Sequence, residues 1–465
     1  MKRNIFAILA VVCIIALLAA CSPAAAPTEA PAEETAAATT AAEETVAVEA
    51  TAAVEETAVA TEAAPAEKIQ IVTWHTLTDH HQEAYQAIID AFNASQDKYE
   101  VVAQQQPYGE YDAKLLQAVS TGTAPDFVGM FPSEAINFIE DGYAFDMSVF
   151  INDPEIGMPN LETELAPGVL QGIKQWGMDQ IYLIPSGMTG EVLFYNKTML
   201  DELGLTPPTT WTEVETVSKA IYEAYGIPGF GTDSITDTYQ TLVMQAGSSY
   251  IDVENKTMSI DRAIGIEKLN WFANGVKEGY FRLVGEDMYF SNPFGSQAVG
   301  MYIGSSAGVD YVYAAIPAEG EAGYFEVGAT TVPQEGPVQY ISNWSNGEVC
   351  LSKDEEHARG VYEFLKYFTS PEVSVEWAKA FGSAPAFKAA IESPEFVEFA
   401  STNIALKALT EELQYAGFLP SIYGTDTVRT EIDKMVQSVA LGVTDAETAF
   451  DAFIEASNAA LQSAQ

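Results

Sequence analysis

Between Ile69 and Met130 short β-branched or aromatic runs alternate with helical patterns, and this alternation leaves few folds open. Ile69-Gln70-Ile71-Val72-Thr73-Trp74 reads as a strand, and Tyr85, Ile88, Ile89 and Phe92 then share one helical face, with Asp79 and Gln82 signalling the helix start. Residues 99–103 read as a second strand, 111–120 as a helix and 127–130 as a third strand. The order β-α-β-α-β predicts a parallel sheet covered by helices, because parallel neighbours need crossover connections. A second alternating unit opens at Glu191-Val192-Leu193-Phe194-Tyr195. In it Thr210 and Glu213 form a capping box, and Val214, Val217, Ile221 and Tyr225 hold one face until Gly226 stops the helix. Further helices are expected over 260–278, 354–368 and 371–381. From Lys68 to Gln465 the chain is longer than the roughly 250–300 residues that one core usually fills, so two domains are expected.

The N-terminal part is of another kind. Lys2 and Arg3 precede an apolar run from Ile5 to Ala20 that is too short for a stable membrane span and is expected to be a signal peptide. The run ends Leu18-Ala19-Ala20-Cys21, which resembles a bacterial lipobox, so 1–21 is expected to be a lipoprotein signal with Cys21 as the lipidated residue. Residues 22–67 are almost only Ala, Thr, Glu, Pro and Val, with no aromatic, glycine or basic residue. Such a segment cannot bury enough apolar surface to offset its ordering entropy, and is expected to be a disordered stalk. Together these place the protein at the outer face of the cytoplasmic membrane, attached only through lipid.

Against 21 Lys and Arg stand 66 Asp and Glu, so the chain opposes nucleic acid and anionic lipid as partners. With Cys13 in the signal and Cys21 lipidated, Cys350 alone remains, and its apolar setting marks a buried structural thiol in a strand. His75, Asp79, His80 and His81 cluster, but adjacent histidines cannot easily face one ion, so no metal site is expected. No phosphate-cradling Gly-Lys-Ser/Thr loop and no His-Glu-x-x-His helix is present, and an enzyme is not expected.

Several segments, in order, resemble one family. These are Val72-Thr73-Trp74-His75, Tyr108-Gly109-Glu110-Tyr111, Gly122-Thr123-Ala124-Pro125-Asp126 and Ile184-Pro185-Ser186. Leu193 to Lys197, Pro208 to Trp211, Ala298 to Met301 with Gly304-Ser305-Ser306, and Ser370-Pro371-Glu372 continue the pattern. The span 68–465 is similar to the extracellular solute-binding proteins of family 1, which include maltose-type and glycerol-3-phosphate-type receptors of ABC importers. The resemblance implies a two-lobed, type II periplasmic-binding-protein-like α/β fold with the ligand cleft between lobes. It places lobe one at 68–184 plus 304–340 and lobe two at 185–303 plus 341–465. It further implies a monomer that needs no cofactor, captures a carbohydrate or a glycerol-phosphate ester, and passes it to ABC permease subunits.

Sugars offer hydroxyl edges and apolar ring faces, so their sites combine carboxylates or amides with flat aromatic rings. At strand ends, where ligands lie in open parallel sheets, the candidates are Trp74, His75, Tyr108, Tyr111, Phe131 and Glu134. In the glycerol-phosphate branch, positions matching Tyr111, Ser186, Ser305 and Arg429 contact ligand, and the branch's acidic residue near Phe131 is replaced here by Pro132. Arg429 could instead form an ion pair with Glu431 or Asp433. Trp344 falls where the chain should recross between lobes and could stack on ligand or pack in the hinge, whereas Trp211, Trp271 and Trp377 are expected in the core.

Overall fold

The computed structural model describes residues 67–107, 111–175, 179–418 and 420–463. The signal, Cys21, Tyr108 and most of the stalk lie outside them, as does the side chain of Trp344.

In chain order the elements that position the cleft begin with β1 (Ile69–His75), α1 (Asp79–Ser95), β2 (Tyr99–Gln105), α2 (Tyr111–Thr121), β3 (Phe127–Met130) and α3 (Pro132–Glu140). After α4 (Pro167–Lys174) come β4 (Leu183–Asn196), α5 (Trp211–Tyr225), β5 (Phe230–Thr232) and α6 (Ile235–Gln245). A small hairpin, β6 (Ile251–Asp252) with β7 (Thr257–Met258), leads to α7 (Arg262–Glu278), β8 (Phe281–Arg282), β9 (Met301–Ser305) and β10 (Val327–Thr330). The remainder is β11 (Ile341–Cys350), α8 (Glu355–Phe368), α9 (Pro371–Phe381), α10 (Ile404–Glu412), β12 (Ala416–Phe418), α11 (Thr425–Ala440) and α12 (Ala446–Gln462). The expected parallel start is present: β1 pairs parallel with β2 from Ile69 opposite Tyr99, and with β3 at Thr73 opposite Phe127.

Helix boundaries follow local chemistry. Thr210 accepts from the Glu213 N–H at 3.2 Å, while the Glu213 carboxylate turns back to the Thr209 N–H at 2.8 Å, one residue earlier than a standard capping box. Gly226 ends α5 at a φ of 71°, a conformation that a side chain disfavours. Asp261 and Asp354 cap α7 and α8 by accepting from backbone N–H groups of the first turn.

Two long strands join the halves of the main sheet, whose order is β2-β1-β3-β11-β4-β9-β5-β8. The C-terminal part of β11 runs antiparallel to β3, with Gly347 opposite Met130, and its first residues pair with β12. The start of β4 lies against the end of β11, and its last residues pair with β9 and β10. The crossing is marked by a register shift between Asn346 and Gly347, opposite Ser186 and its neighbours. Gly347 is required by close approach, since a Cβ there would stand 2.3 Å from Leu183 Cδ2 and 2.6 Å from the Ile184 carbonyl oxygen.

This pairing revises the expected division of the chain. Segment 304–340, expected with lobe one, carries the end of β9 and β10, which pair with the distal part of β4 on the second lobe. Conversely α8 and α9, expected with lobe two, pack on the first: the Phe364 ring lies 5.3 Å from Phe92 and 5.5 Å from Phe127, and Trp377 lies 5.8 Å from Tyr85. The physical reason is that the chain re-enters the first lobe through β11, at Gly347, and not before it. Cys350, at the end of β11, is fully buried, and burial pushes its thiol up to about 12.

Gly347→Ala should lower stability by about 1–3 kcal/mol, because backbone at Ile184 cannot yield to the added methyl. Equilibrium urea denaturation measures this, and an unchanged midpoint would show that the crossing has slack.

Candidate solute-binding cleft

The ends of β1 and β3, the starts of α2 and α3, and the crossing part of β4 and β11 converge on a cavity of about 570 Å3. Trp74, His75, Tyr111, Phe131, Glu134 and Ser186 all line it, so six of the sequence candidates come together. Trp74, His75, Phe131 and Glu134 are held by hydrogen bonds. Trp74 donates to Gln104 Oε1 at 3.0 Å, and Lys114 Nζ sits 4.9 Å from its ring. His75 accepts from the Leu77 N–H at Nδ1, 3.2 Å away, and burial lowers its basicity. Glu134 accepts from the Phe131 N–H at 2.9 Å, which fixes the first turn of α3. Glu348 adds a carboxyl from β11, pushed by burial up to about 7. Trp377 and Phe381 complete the wall; Trp377 is 6% exposed, buried as expected yet facing the cavity.

A second cavity of about 770 Å3 shares Phe131 with the first and is otherwise walled by the second lobe and its approaches. Ser305 and Arg429 line it. Arg429 is anchored neither by Glu431 nor by Asp433: its guanidinium grips Asp237 of α6, with Nη1 at 2.9 Å from Oδ1 and Nη2 at 3.1 Å from Oδ2. Asp237 is 1% exposed and also accepts from Ser342 Oγ at 3.1 Å. Such a bidentate pair is geometrically specific and uses the fork that would otherwise clamp a phosphate.

Sequence reasoning missed most of this second wall. Glu191, Asp233, Asp237, Tyr289 and Tyr311 line it, and none was a candidate. Asp233 follows β5, at a strand end of the kind searched in the first lobe, and accepts from the Phe290 N–H at 2.6 Å. Burial pushes it up to about 7. Gly304 leaves room for it, since a Cβ there would stand 2.5 Å from Asp233 Oδ2. Glu191 carried a signal too: it is a carboxyl at the head of the apolar run Val192-Leu193-Phe194. Asp287, also on this wall, is paired with Arg282.

One enzyme-like pattern does occur, Gly304-Ser305-Ser306-Ala307-Gly308, with the spacing of a nucleophile elbow. Ser306 is fully buried, its Oγ accepts from the Gly190 N–H at 3.4 Å, and the four histidines lie on β1, α1 and α8 of the first lobe. A nucleophile needs exposure and a hydrogen-bonded base, and this serine has neither. Among the described residues no group of three His, Cys, Asp or Glu is arranged to hold a metal ion, and no helix is long and apolar enough to cross a membrane.

Two α/β lobes joined by crossing strands, with a polar and aromatic cavity on each side of the junction, define a two-lobed periplasmic-binding-protein-like fold. Comparison with known proteins agrees: residues 87–404 match the model of the bacterial extracellular solute-binding proteins, and the chain belongs to that family. A sequence relative is the sn-glycerol-3-phosphate-binding periplasmic protein UgpB of Yersinia pseudotuberculosis, 23% identical over 416 residues, covering 82% of this chain and 90% of the relative. The crystal structure of a cyclic α-maltosyl-1,6-maltose binding protein from Arthrobacter globiformis aligns with a TM-score of 0.75 at 21% identity, covering 85% of this chain and all of that one. UgpB from Mycobacterium tuberculosis, in complex with glycerophosphocholine, aligns with a TM-score of 0.69 at 17% identity, covering 85% of this chain and 99% of that one.

Arg429→Ala should destabilise the protein by about 3 kcal/mol, because Asp237 would be left buried without its counter-charge. Replacing both, as Arg429→Met with Asp237→Leu, should recover part of that loss in urea denaturation. A single substitution that costs nothing would show that the pair does not order the wall.

Proposed function

We propose that this protein is the extracytoplasmic binding component of an ABC importer and captures an uncharged carbohydrate between its lobes. One observation carries the choice of ligand: among the described residues Arg429 is the one arginine lining the larger cavity and it is held by Asp237, while Asp287 is paired with Arg282 and the other carboxyls there, Glu191 and Asp233, bring no cation. A dianionic phosphate ester would find no uncommitted cation among the described lining residues, whereas hydroxyls find acceptors and donors, and Tyr289, Tyr311, Trp74 and Tyr111 offer ring faces. Trp74, His75, Tyr111, Phe131, Glu134, Ser186 and Ser305 are proposed to contact the solute, with Arg429 holding the wall. Trp344 and Tyr108 are assigned to the cleft on sequence alone.

The relatives named for glycerol 3-phosphate favour a second reading, a phosphate-ester receptor. In either case the protein binds without catalysis. Solute contacts made by both lobes favour the closed arrangement over the open one, and closure is what a permease can recognise. The polar, acid-rich chain fits a monomer that needs no cofactor, held at the outer face of the cytoplasmic membrane by lipid on Cys21 and standing off on the 22–67 stalk.

A thermal-shift panel decides between the readings. Maltose and maltotriose are expected to stabilise the protein, by about 2.7 kcal/mol at a hundredfold excess over Kd, and sn-glycerol 3-phosphate and glycerophosphocholine are expected to leave it unchanged. Stabilisation by the phosphate compounds alone would reverse the assignment.

A further inference from the structure

Glu191 is the least expected group in the cleft. It sits on β4 just beyond the crossing, is 6% exposed, and lines the larger cavity. Its Oε2 atom is buried and makes no hydrogen bond within the described protein. Buried polar atoms are normally satisfied, and an unpaired carboxyl oxygen on a residue that lines a cavity calls for a partner or for a proton.

The surroundings decide what state the carboxyl holds. Asp233 faces it from the turn after β5, Asp237 from α6 and Arg429 from α11, with Tyr250 beside Arg429 and Glu412 approaching from the end of α10. Ser305 is its neighbour across the β4–β9 ladder. Arg429 is the single positive charge in this group and is held by Asp237 at 2.9 and 3.1 Å, so the net environment is acidic. Burial, then the Asp237 and Asp233 carboxylates, hold the Glu191 proton well above the usual carboxylate range, with Arg429 opposing. Glu412 shows the same pattern in a sealed position, with one oxygen taken by the Val332 N–H at 2.9 Å, but it lines neither cavity of the cleft.

We propose that Glu191 is a ligand-contacting, specificity-determining residue that meets the solute as an uncharged carboxylic acid. It donates one hydrogen bond to a hydroxyl oxygen and accepts another from a hydroxyl proton. This subsite rests on the carbohydrate reading above and deepens it: the hydroxyl group is the chemistry that can take both bonds, whereas an ammonium would require the carboxylate. The sign of the pH dependence follows. Solute affinity contributed by Glu191 is present while the proton is on and is lost as pH rises through the value at which it leaves, because an ionised carboxylate can only accept.

Infrared difference spectroscopy of the folded chain at neutral pH, wild type minus Glu191→Gln, tests the state without any solute. The expected result is a protonated-carboxyl carbonyl band in wild type that is missing from the variant; no such band overturns the proposal. Calorimetric titration with maltotriose then tests the contact. Glu191→Gln, which keeps one donor and one acceptor, should bind within about threefold of wild type, and Glu191→Ala about tenfold or more weakly, the scale of a buried hydrogen bond lost. Equal loss in both variants would mean the carboxylate form binds, and no loss in either would mean no contact; both overturn the proposal. Wild type that binds only glycerophosphocholine in this assay refutes the carbohydrate reading, while the infrared band still decides the state of Glu191.

Discussion

The two strands that belong to both lobes, β4 and β11, set everything else in place. They lie antiparallel to one another across the junction, and each hands its hydrogen bonds from one set of neighbours to another as it crosses. The register shift at Asn346 and Gly347 stands where the handover occurs, and the close packing of Gly347 on Leu183 and Ile184 permits no side chain there. A bulge of this kind bends a strand and re-aims the side chains beside it. Ser186, Glu191, Asn346 and Glu348 all lie on these two strands and all face the cavities on either side.

From this arrangement the electrostatics of the cleft follow. Burial leaves little water to solvate a carboxylate, so Glu348 on β11 and Asp233 in the turn after β5 are both pushed up to about 7, one on each lobe. The chain as a whole carries a formal charge of −45, yet burial also raises Glu191 well above the usual carboxylate range, so that these three carboxyls are disposed to act as hydrogen-bonding groups. The Arg429–Asp237 pair, with Ser342, ties α11, α6 and β11 together on one wall of the larger cavity.

Much of the fold was legible in the sequence, and the reason is local. The β-branched run 69–74, the helical face of Tyr85, Ile88, Ile89 and Phe92, and the caps at Thr210 and Asp354 encode their own conformations within a few residues. Lobe membership is not local: nothing in the sequence between Ile341 and Cys350 says that the strand changes lobes midway, and so 304–340 and the two helices α8 and α9 were expected on the other sides. The first wall of the cleft was legible because aromatic residues at the ends of β1 and β3 stand out. The second was not, because in a chain with 66 acids Glu191, Asp233 and Asp237 look like solvated surface until burial distinguishes them. Arg429 was a candidate through the family resemblance, but its partner lies 192 residues away in sequence.

The account turns on two lobes that share one solute. Small-angle X-ray scattering of the protein, titrated with the saccharide that most raises its Tm, tests this directly. The radius of gyration should fall as the site fills, with a midpoint that matches the calorimetric Kd. Saturation by calorimetry with no change in the scattering curve would contradict it, because a solute held by one wall alone gives the lobes no reason to close.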